Sequence, residues 1–290
     1  MITAITKKTD ILIVGLGVIG GGYARALSAK GYRVRCITEN QEDIDYALAE
    51  GMIRDGRTKP DPDYIRSADL VICALYPTVF IDWIRENGGY LREGALLTDV
   101  TGVKGSVVRA VQEMLPDGIE FIAAHPMAGR ERSGVHFSDD RVFIGANYIV
   151  TPTERNSEAG IAVCRQLGEL LGFGTITELS VEEHDRMIAF LSQLTHCIAV
   201  TLMTCNQNAG LEKYTGDSFR DLTRIAKIND EMWSELFLLN RDALLAEMDC
   251  FAEEFAKLRR LLADGDREGM REMMRTSTSR RALFDKPLNK

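Results

Sequence analysis

The sequence predicts an α/β domain built on a doubly wound parallel sheet, followed by a second domain made only of helices. Three observations carry that expectation. Over residues 1–180, short apolar runs alternate with helical patterns, and alternating β and α builds a parallel sheet. The first run leads directly into a glycine-rich turn that opens a helix. After about residue 180 the strand signals stop and long helical patterns take over, which gives domains of 1–180 and 181–290.

Strands are expected at 10–15, 32–37, 69–75, 94–99, 119–124, 146–151 and 174–178. Helical patterns lie between several of them, at 19–30, 41–50, 77–88, 104–115 and 154–171. Asp139-Asp140-Arg141 and Thr151-Pro152-Thr153 read as loops or caps, and Thr153-Glu154 as a helix start. In the second domain, 181–211 and 230–262 read as long helices and 266–283 as a shorter one. Between Trp233 and Leu262 apolar residues recur at mixed spacings of three and four, and 187–203 is apolar on more than one face. A helix apolar all round must be covered on all sides, which a domain of about 110 residues does poorly alone. A homodimer built on these helices is therefore expected.

The turn reads Gly15-Leu16-Gly17-Val18-Ile19-Gly20 and follows Ile11-Leu12-Ile13-Val14. This is the dinucleotide-binding context of a Rossmann domain. The first glycine makes the tight turn, the second lets the backbone approach a pyrophosphate, and the third packs helix on strand. The helix N-terminus then offers N–H groups and a positive dipole end to phosphate. The second strand should end in an acid that accepts from the ribose hydroxyls of NAD. Thr38 falls at that position with Glu39 one residue later, and no arginine follows to hold a 2′-phosphate. NAD is the expected cofactor, with NADP the alternative. Tyr76 and Pro77, after the strand 69–75, complete the expected cofactor edge.

Composition narrows the class. The chain has 290 residues, 45% hydrophobic and 27% charged, which is ordinary for a globular protein. A net charge of −8 argues against nucleic acid as a partner. Six cysteines show no metal-type spacing, so no metal is expected, and they read as free thiols of a reducing cytoplasm. Polar residues interrupt any signal peptide, and no run of eighteen apolar residues appears, so no membrane span is expected.

In such a sheet a ligand lies beyond the carboxyl ends of the strands. Three segments fall there: Tyr76-Pro77, Asp99 to Gly105, and His125 to Glu131. A histidine at that edge suits a general base, because oxidation of an alcohol carbon leaves a hydroxyl proton to remove. His136 reads as structural or exposed, and His184 as part of a solvated helix start. His196, in an apolar helix, needs a partner, and both packing and ligand contact would satisfy it. Arg220 and Arg224, four apart, would share a helical face. Such forks bind carboxylates or pair with the nearby Asp217 and Asp221.

Taken in order, several motifs resemble those of one family. They are the glycine turn, Asp99-x-x-Gly-Val-Lys104-Gly, His125-Pro-Met-Ala-Gly129-Arg-Glu131-x-Ser133-Gly134, His184-Asp, the helical His196, and Thr223-Arg224-Ile-Ala before Met232-Trp233. The chain resembles the prephenate dehydrogenases of tyrosine biosynthesis over residues 10–260. That family joins a Rossmann domain to a helical domain through which two chains dimerise. The resemblance implies hydride transfer from C4 of prephenate to NAD(P), loss of the ring carboxylate as CO2, and aromatisation to 4-hydroxyphenylpyruvate. It implies His125 as the catalytic base and Arg224, Arg220 and His196 as substrate ligands. It also places Arg130 and Glu131 in the substrate-facing loop. Many relatives carry an active-site serine where this chain has Gly102, so Thr101 is expected to supply that hydroxyl. Gln193 stands where some relatives have a second histidine, and Thr195 replaces a common proline.

Three alternatives compete. Arogenate dehydrogenases act on the amino analogue. β-Hydroxyacid dehydrogenases use a helical lysine, which is missing from residues 181–212. A non-catalytic redox sensor would bind the dinucleotide but would not need His125 with two arginines. No regulatory domain is expected after the helices.

Overall fold

The computed structural model describes residues 2–129 and 132–285. The chain divides into two compact units, Met1–Arg241 and Asp242–Lys290.

The first unit is built on eight strands: β1 (Asp10–Val14), β2 (Arg33–Ile37), β3 (Asp55–Arg57), β4 (Leu70–Cys73), β5 (Leu96–Asp99), β6 (Glu120–Met127), β7 (Asn147–Thr151) and β8 (Thr175–Glu178). Their order is β3-β2-β1-β4-β5-β6-β7-β8, so the chain winds outward in both directions from β1 and β4. Helices α1 (Val18–Ala29), α2 (Gln41–Ala49), α3 (Pro62–Arg66), α4 (Pro77–Asn87), α5 (Gly105–Met114) and α6 (Glu158–Leu171) connect them. Successive residues of a strand face opposite sides of the sheet. Ile11 and Ile13 accordingly join one core, with Leu27, Ile44 and Leu167, while Leu12 and Val14 join the other, with Phe80, Val107 and Phe121. Each fully buried side chain of this kind stabilises the fold by about 1.5–3 kcal/mol before chain entropy is counted.

The structure corrects the all-parallel expectation in one place. β7 runs antiparallel to β6, while every other strand pair is parallel. A parallel return needs a crossover helix. Between β6 and β7 the described residues hold only short 3₁₀ turns, at Val135–Phe137 and Asp140–Phe143. β3 and α3 were not expected. Asp55-Gly56-Arg57 has no apolar run, and α3 is a single turn capped by Asp61 with Pro62 at its start. α6 begins at Glu158 rather than 154, because Ser157 caps it by accepting the Gly160 N–H.

The helical part of this unit holds α7 (Val181–Ile188), a π turn (Ala189–Leu194), α8 (Thr195–Thr204), α9 (Asp217–Thr223) and α10 (Asp230–Leu239). The expected helix 181–211 thus ends at Thr204, and 230–262 breaks at Asn240. The stretch Val181–Thr204 is long and apolar enough by length and composition to cross a bilayer. Its His184 and Gln193 are nonetheless buried and bonded to protein groups.

The second unit consists chiefly of α11 (Arg241–Ala263) and α12 (Arg267–Arg281). Gly265, at φ +68°, turns the chain between them, and Asp266 caps α12 through the Gly269 N–H.

Candidate active site

The glycine turn has the shape of a dinucleotide cradle. Gly15 sits at φ +90°, and a Cβ there would lie 2.4 Å from the Ala74 carbonyl oxygen. A Cβ at Gly20 would lie 2.1 Å from the Gly15 oxygen, so helix and turn touch backbone to backbone. A Cβ at Gly17 would meet nothing within 4 Å: the open side of the turn faces away from the protein at the N-terminus of α1. Leu16 is buried beneath the turn, and Val18 and Ile19 open the helix. The Gly15 N–H donates to Ile37 O, which brings the end of β2 alongside. Thr38 is half-buried there and Glu39 is exposed. On the other side, Tyr76 caps α4 with Pro77 in its first turn. These residues fit a bound dinucleotide.

Arg57 is a finding of the tertiary structure. The Thr38 N–H donates to Arg57 O, so a strand invisible in the sequence carries an arginine to the end of β2. Its guanidinium is held by Asp55 Oδ1 at 2.8 Å and lies over the Tyr64 ring.

His125 lies within a strand rather than in a loop after it. β5 pairs with β6 only as far as Thr98↔Ile122, while β6 continues to Met127 against β7, with His125 opposite Ile149. Ala124 therefore has no β5 backbone partner on that side. Asp99 Oδ1 accepts its N–H at 3.0 Å, and Lys104 Nζ donates to its carbonyl at 2.7 Å. Buried backbone groups need such partners. Lys104 and Asp99 are themselves ion-paired at 2.8 Å, both side chains fully buried. Burial pulls the Lys104 ammonium below its ordinary value, and Asp99 opposes that.

Thr101 belongs to this network. Its hydroxyl bonds Asp99 Oδ2 and lies 2.9 Å from Val103 O, and its backbone N–H also donates to Asp99. The structure thus spends the expected active-site hydroxyl on the ion pair that holds Ala124. Gly102 is the residue nearer the imidazole: a Cβ there would stand 3.9 Å from His125 Cε1 and 3.6 Å from Leu236.

His184 departs from the solvated helix start that its sequence context suggests. It is fully buried, and its Nε2 lies 2.9 Å from His125 Nδ1. The other ring nitrogen, Nδ1, is 2.8 Å from Asp185 Oδ1. Asp185 also accepts the backbone N–H groups of Lys104 (2.9 Å) and Gly105 (2.7 Å) at the start of α5. Burial alone would raise this carboxyl, but the bonds from His184, Gly105 and Lys104 outweigh it and hold it below the ordinary carboxylate range. An ionised Asp185 accepts Nδ1–H from His184, which leaves His184 Nε2 as an acceptor for His125 Nδ1–H. His125 Nε2 is then the bare, basic nitrogen. Burial, then His184, then Lys104 push the His125 imidazole well below its ordinary value, so it is neutral at pH 7. The signal available for His184 and Asp185 was their adjacency behind the capping Ser180, which reads equally well as a solvated helix start.

His196 stacks on Trp233 of α10, with ring centroids 3.7 Å apart, and its Nδ1–H donates to Ser192 O. Arg224 caps α9 and opens the turn Arg224–Ala226, which packs beside α8. Arg220 is exposed and bonded to Asp217 at 3.1 Å, the pairing that competes with ligand binding. Glu235 of α10 accepts the Thr78 N–H at 2.7 Å, bringing α10 to the start of α4. Arg130 and Glu131 lie outside the described residues.

The assembled groups can hold a dinucleotide at one edge and take a hydroxyl proton on an oriented imidazole. Comparison with known proteins agrees. Residues 23–175 match the family described as prephenate dehydrogenase, nucleotide-binding domain, and residues 180–276 match prephenate dehydrogenase, dimerization domain. The chain is 31% identical to a prephenate dehydrogenase of Bacillus subtilis, over 93% of this chain and 74% of that one. It is 30% identical to a cyclohexadienyl dehydrogenase of Zymomonas mobilis, over 95% and 96% respectively. Its fold is similar to the crystal structure of prephenate dehydrogenase from A. aeolicus in complex with hydroxyphenyl propionate and NAD+. That likeness has a TM-score of 0.87 and 28% identity, and covers 96% of this chain and 98% of the other.

Proposed function

The chain belongs to the prephenate dehydrogenase family, and from that premise we propose how its own residues carry out the oxidative decarboxylation of prephenate to 4-hydroxyphenylpyruvate. The observation that carries the reading is the chain of contacts His125–His184–Asp185, which presents a neutral imidazole with Nε2 as acceptor. Such a group takes the proton of the C4 hydroxyl as the carbon is oxidised. When bound, the nicotinamide of NAD supplies the hydride acceptor. The ring carboxylate leaves as CO2, its bonding electrons complete the aromatic ring, and His125 returns the proton to the phenolate oxygen.

Residues 15–20, Thr38, Glu39, Tyr76 and Pro77 would hold the dinucleotide. NAD is favoured over NADP because Glu39 puts a carboxylate at the ribose edge and Asp55 engages the Arg57 guanidinium. Arg224 and His196 are the proposed ligands of the substrate carboxylates, assisted by Arg220 and Arg130, with Glu131 a further proposed substrate-binding residue. Thr101 supports the reaction through Asp99 and Lys104. Prephenate is the proposed substrate, with arogenate, which carries an amino group in place of the keto group, as the alternative.

A homodimer is proposed through the helical residues, with 1–180 and 181–290 as the two functional domains. Both compact units expose large apolar side chains, including Phe190 (51%) and Leu238 (70%) in the first and Phe255 (62%) and Leu262 (67%) in the second. Large apolar side chains left exposed on helices are what an association surface would cover. Cys36, Cys73 and Cys164 are buried free thiols, which fits the reducing cytoplasm.

The experiment crosses two substrates with two cofactors and follows the absorbance of the reduced nicotinamide. Turnover of prephenate with NAD is the expected result. Nucleotide binding without turnover of either substrate would support the sensor reading instead.

A further inference from the structure

His184 and His196 belong to one helical stretch and lie twelve residues apart. Each residue of an α-helix advances about 100°, so an unbroken helix would point the two rings roughly 120° apart. The stretch is broken: Ala189–Leu194 forms a π turn between α7 and α8. A π turn takes in one extra residue without adding its angular advance, which brings the two rings to within roughly 20° of a common face. Burial makes the same jump, with His184, Ile188 and Gln193 buried at spacings of four and then five. The contacts agree. His184 meets His125, and Gly102, beside the His125 ring, faces Leu236 of α10. Trp233, one turn before Leu236, stacks on His196.

A π turn is an unfavourable local form that persists where surrounding structure fixes it. Here two buried amides do so. Gln193, inside the turn, donates from Nε2 to Leu236 O at 2.9 Å. Asn240, at the end of α10, donates from Nδ2 to Gln193 Oε1 at 2.8 Å and to Asp185 O at 2.9 Å. The pair ties the turn to the helix that carries Trp233 and to the residue that orients His184.

We infer that the π turn, held by the Gln193–Asn240 amide pair, sets the helical phase that turns His196 to the face shared by His184 and His125, and that Gln193 is a positioning residue for substrate binding. The inference rests on the reading of this site as a prephenate site, and its test has an arm that does not need turnover.

The test is a double-mutant cycle of Gln193→Leu with His196→Ala, read as KM for prephenate. It is run beside the emission of Trp233 in a Trp83→Phe background, since the chain has two tryptophans. Gln193→Leu is expected to raise KM about tenfold with His196 present and less than about twofold once His196 is alanine, with kcat little changed. His196→Ala should change Trp233 emission, and Gln193→Leu and deletion of the exposed Leu191 should each reproduce that change. Should Gln193→Leu fold poorly, Gln193→Met carries the same cycle. Additive effects on KM would overturn the inference. So would Trp233 emission unaltered in His196→Ala, or unaltered in both the Gln193 and Leu191 variants. If the wild-type protein turns over no prephenate, the function reading falls by itself and the emission arm still decides this one.

Discussion

His125 Nδ1 lies 2.9 Å from His184 Nε2, and this one contact decides which nitrogen of the catalytic candidate is basic. A hydrogen bond between two neutral imidazoles needs one donor and one acceptor. Asp185, charged and held by two backbone N–H groups, takes the His184 proton on the far side. The polarity of the chain is thereby set from Asp185 outward, ending at His125 Nε2.

Asp185→Asn should invert that polarity. An amide offering N–H to His184 Nδ1 would put the His184 proton on Nε2 and leave His125 Nε2 protonated. A tautomer error of this kind costs on the order of 10²–10⁴-fold in kcat. Circular dichroism and the dissociation constant for NAD should stay near wild type, because the nucleotide edge is untouched. Wild-type kcat in Asp185→Asn would remove the relay from the mechanism.

The pH profile follows from His125. The base works when neutral, and its environment lowers its pKa below the ordinary 6.5. The neutral form therefore persists as pH falls through 6.5, and kcat/KM should decline only at more acidic values. His184→Ala opens the packing around this ring and relieves the burial that is the largest cause of its shift, so the acidic limb should move toward 6.5. An acidic limb above 6.5 in the wild-type enzyme would contradict the assignment.

His125→Asn should lose roughly 10²–10⁴-fold in kcat, the usual worth of a positioned acid–base group, while prephenate still binds. Equilibrium binding measured by calorimetry separates the two effects. Turnover near wild type would refute the base assignment.

Lys104→Met leaves Asp99 buried without its cation and Ala124 O without its donor. Breaking a buried pair by removing one partner costs about 3–5 kcal/mol, and denaturant unfolding should show it. A loss under about 1 kcal/mol would mean that water or a neighbour replaces the ammonium.

Arg224→Ala and Arg220→Ala should differ. Loss of a charge-assisted bond to a carboxylate is worth about 1.5–3 kcal/mol, so Arg224→Ala should raise KM for prephenate by roughly ten- to a hundredfold. Arg220 is exposed and already paired with Asp217, and its loss should raise KM less. Equal effects would place both guanidinium groups on the substrate.

Much of the site was legible because it sits on local signals. The glycine turn needs only a strand before it and a helix after it, and both are where the sequence put them. His125 could be singled out because the apolar run before it reads as a strand ending at Ala124, although β6 continues to Met127. The role of His184 could not. A His-Asp pair behind a capping serine looks the same whether solvent or another histidine lies beyond it, and only the packing of α7 against β6 distinguishes the two. The antiparallel β7 escaped for a similar reason, since an apolar run carries no mark of its direction.

The sequence by itself determined the periodicities, and through them most of the strands and helices in their order, the nucleotide turn and the identity of the charged groups. Tertiary structure decided which of those groups meet. It carried Arg57 to the end of β2, spent Thr101 on the Asp99–Lys104 pair, and set His184 between His125 and Asp185. The physical reason is that side-chain pattern encodes which face of an element is buried, whereas proton direction and charge pairing depend on distances between residues far apart in the chain.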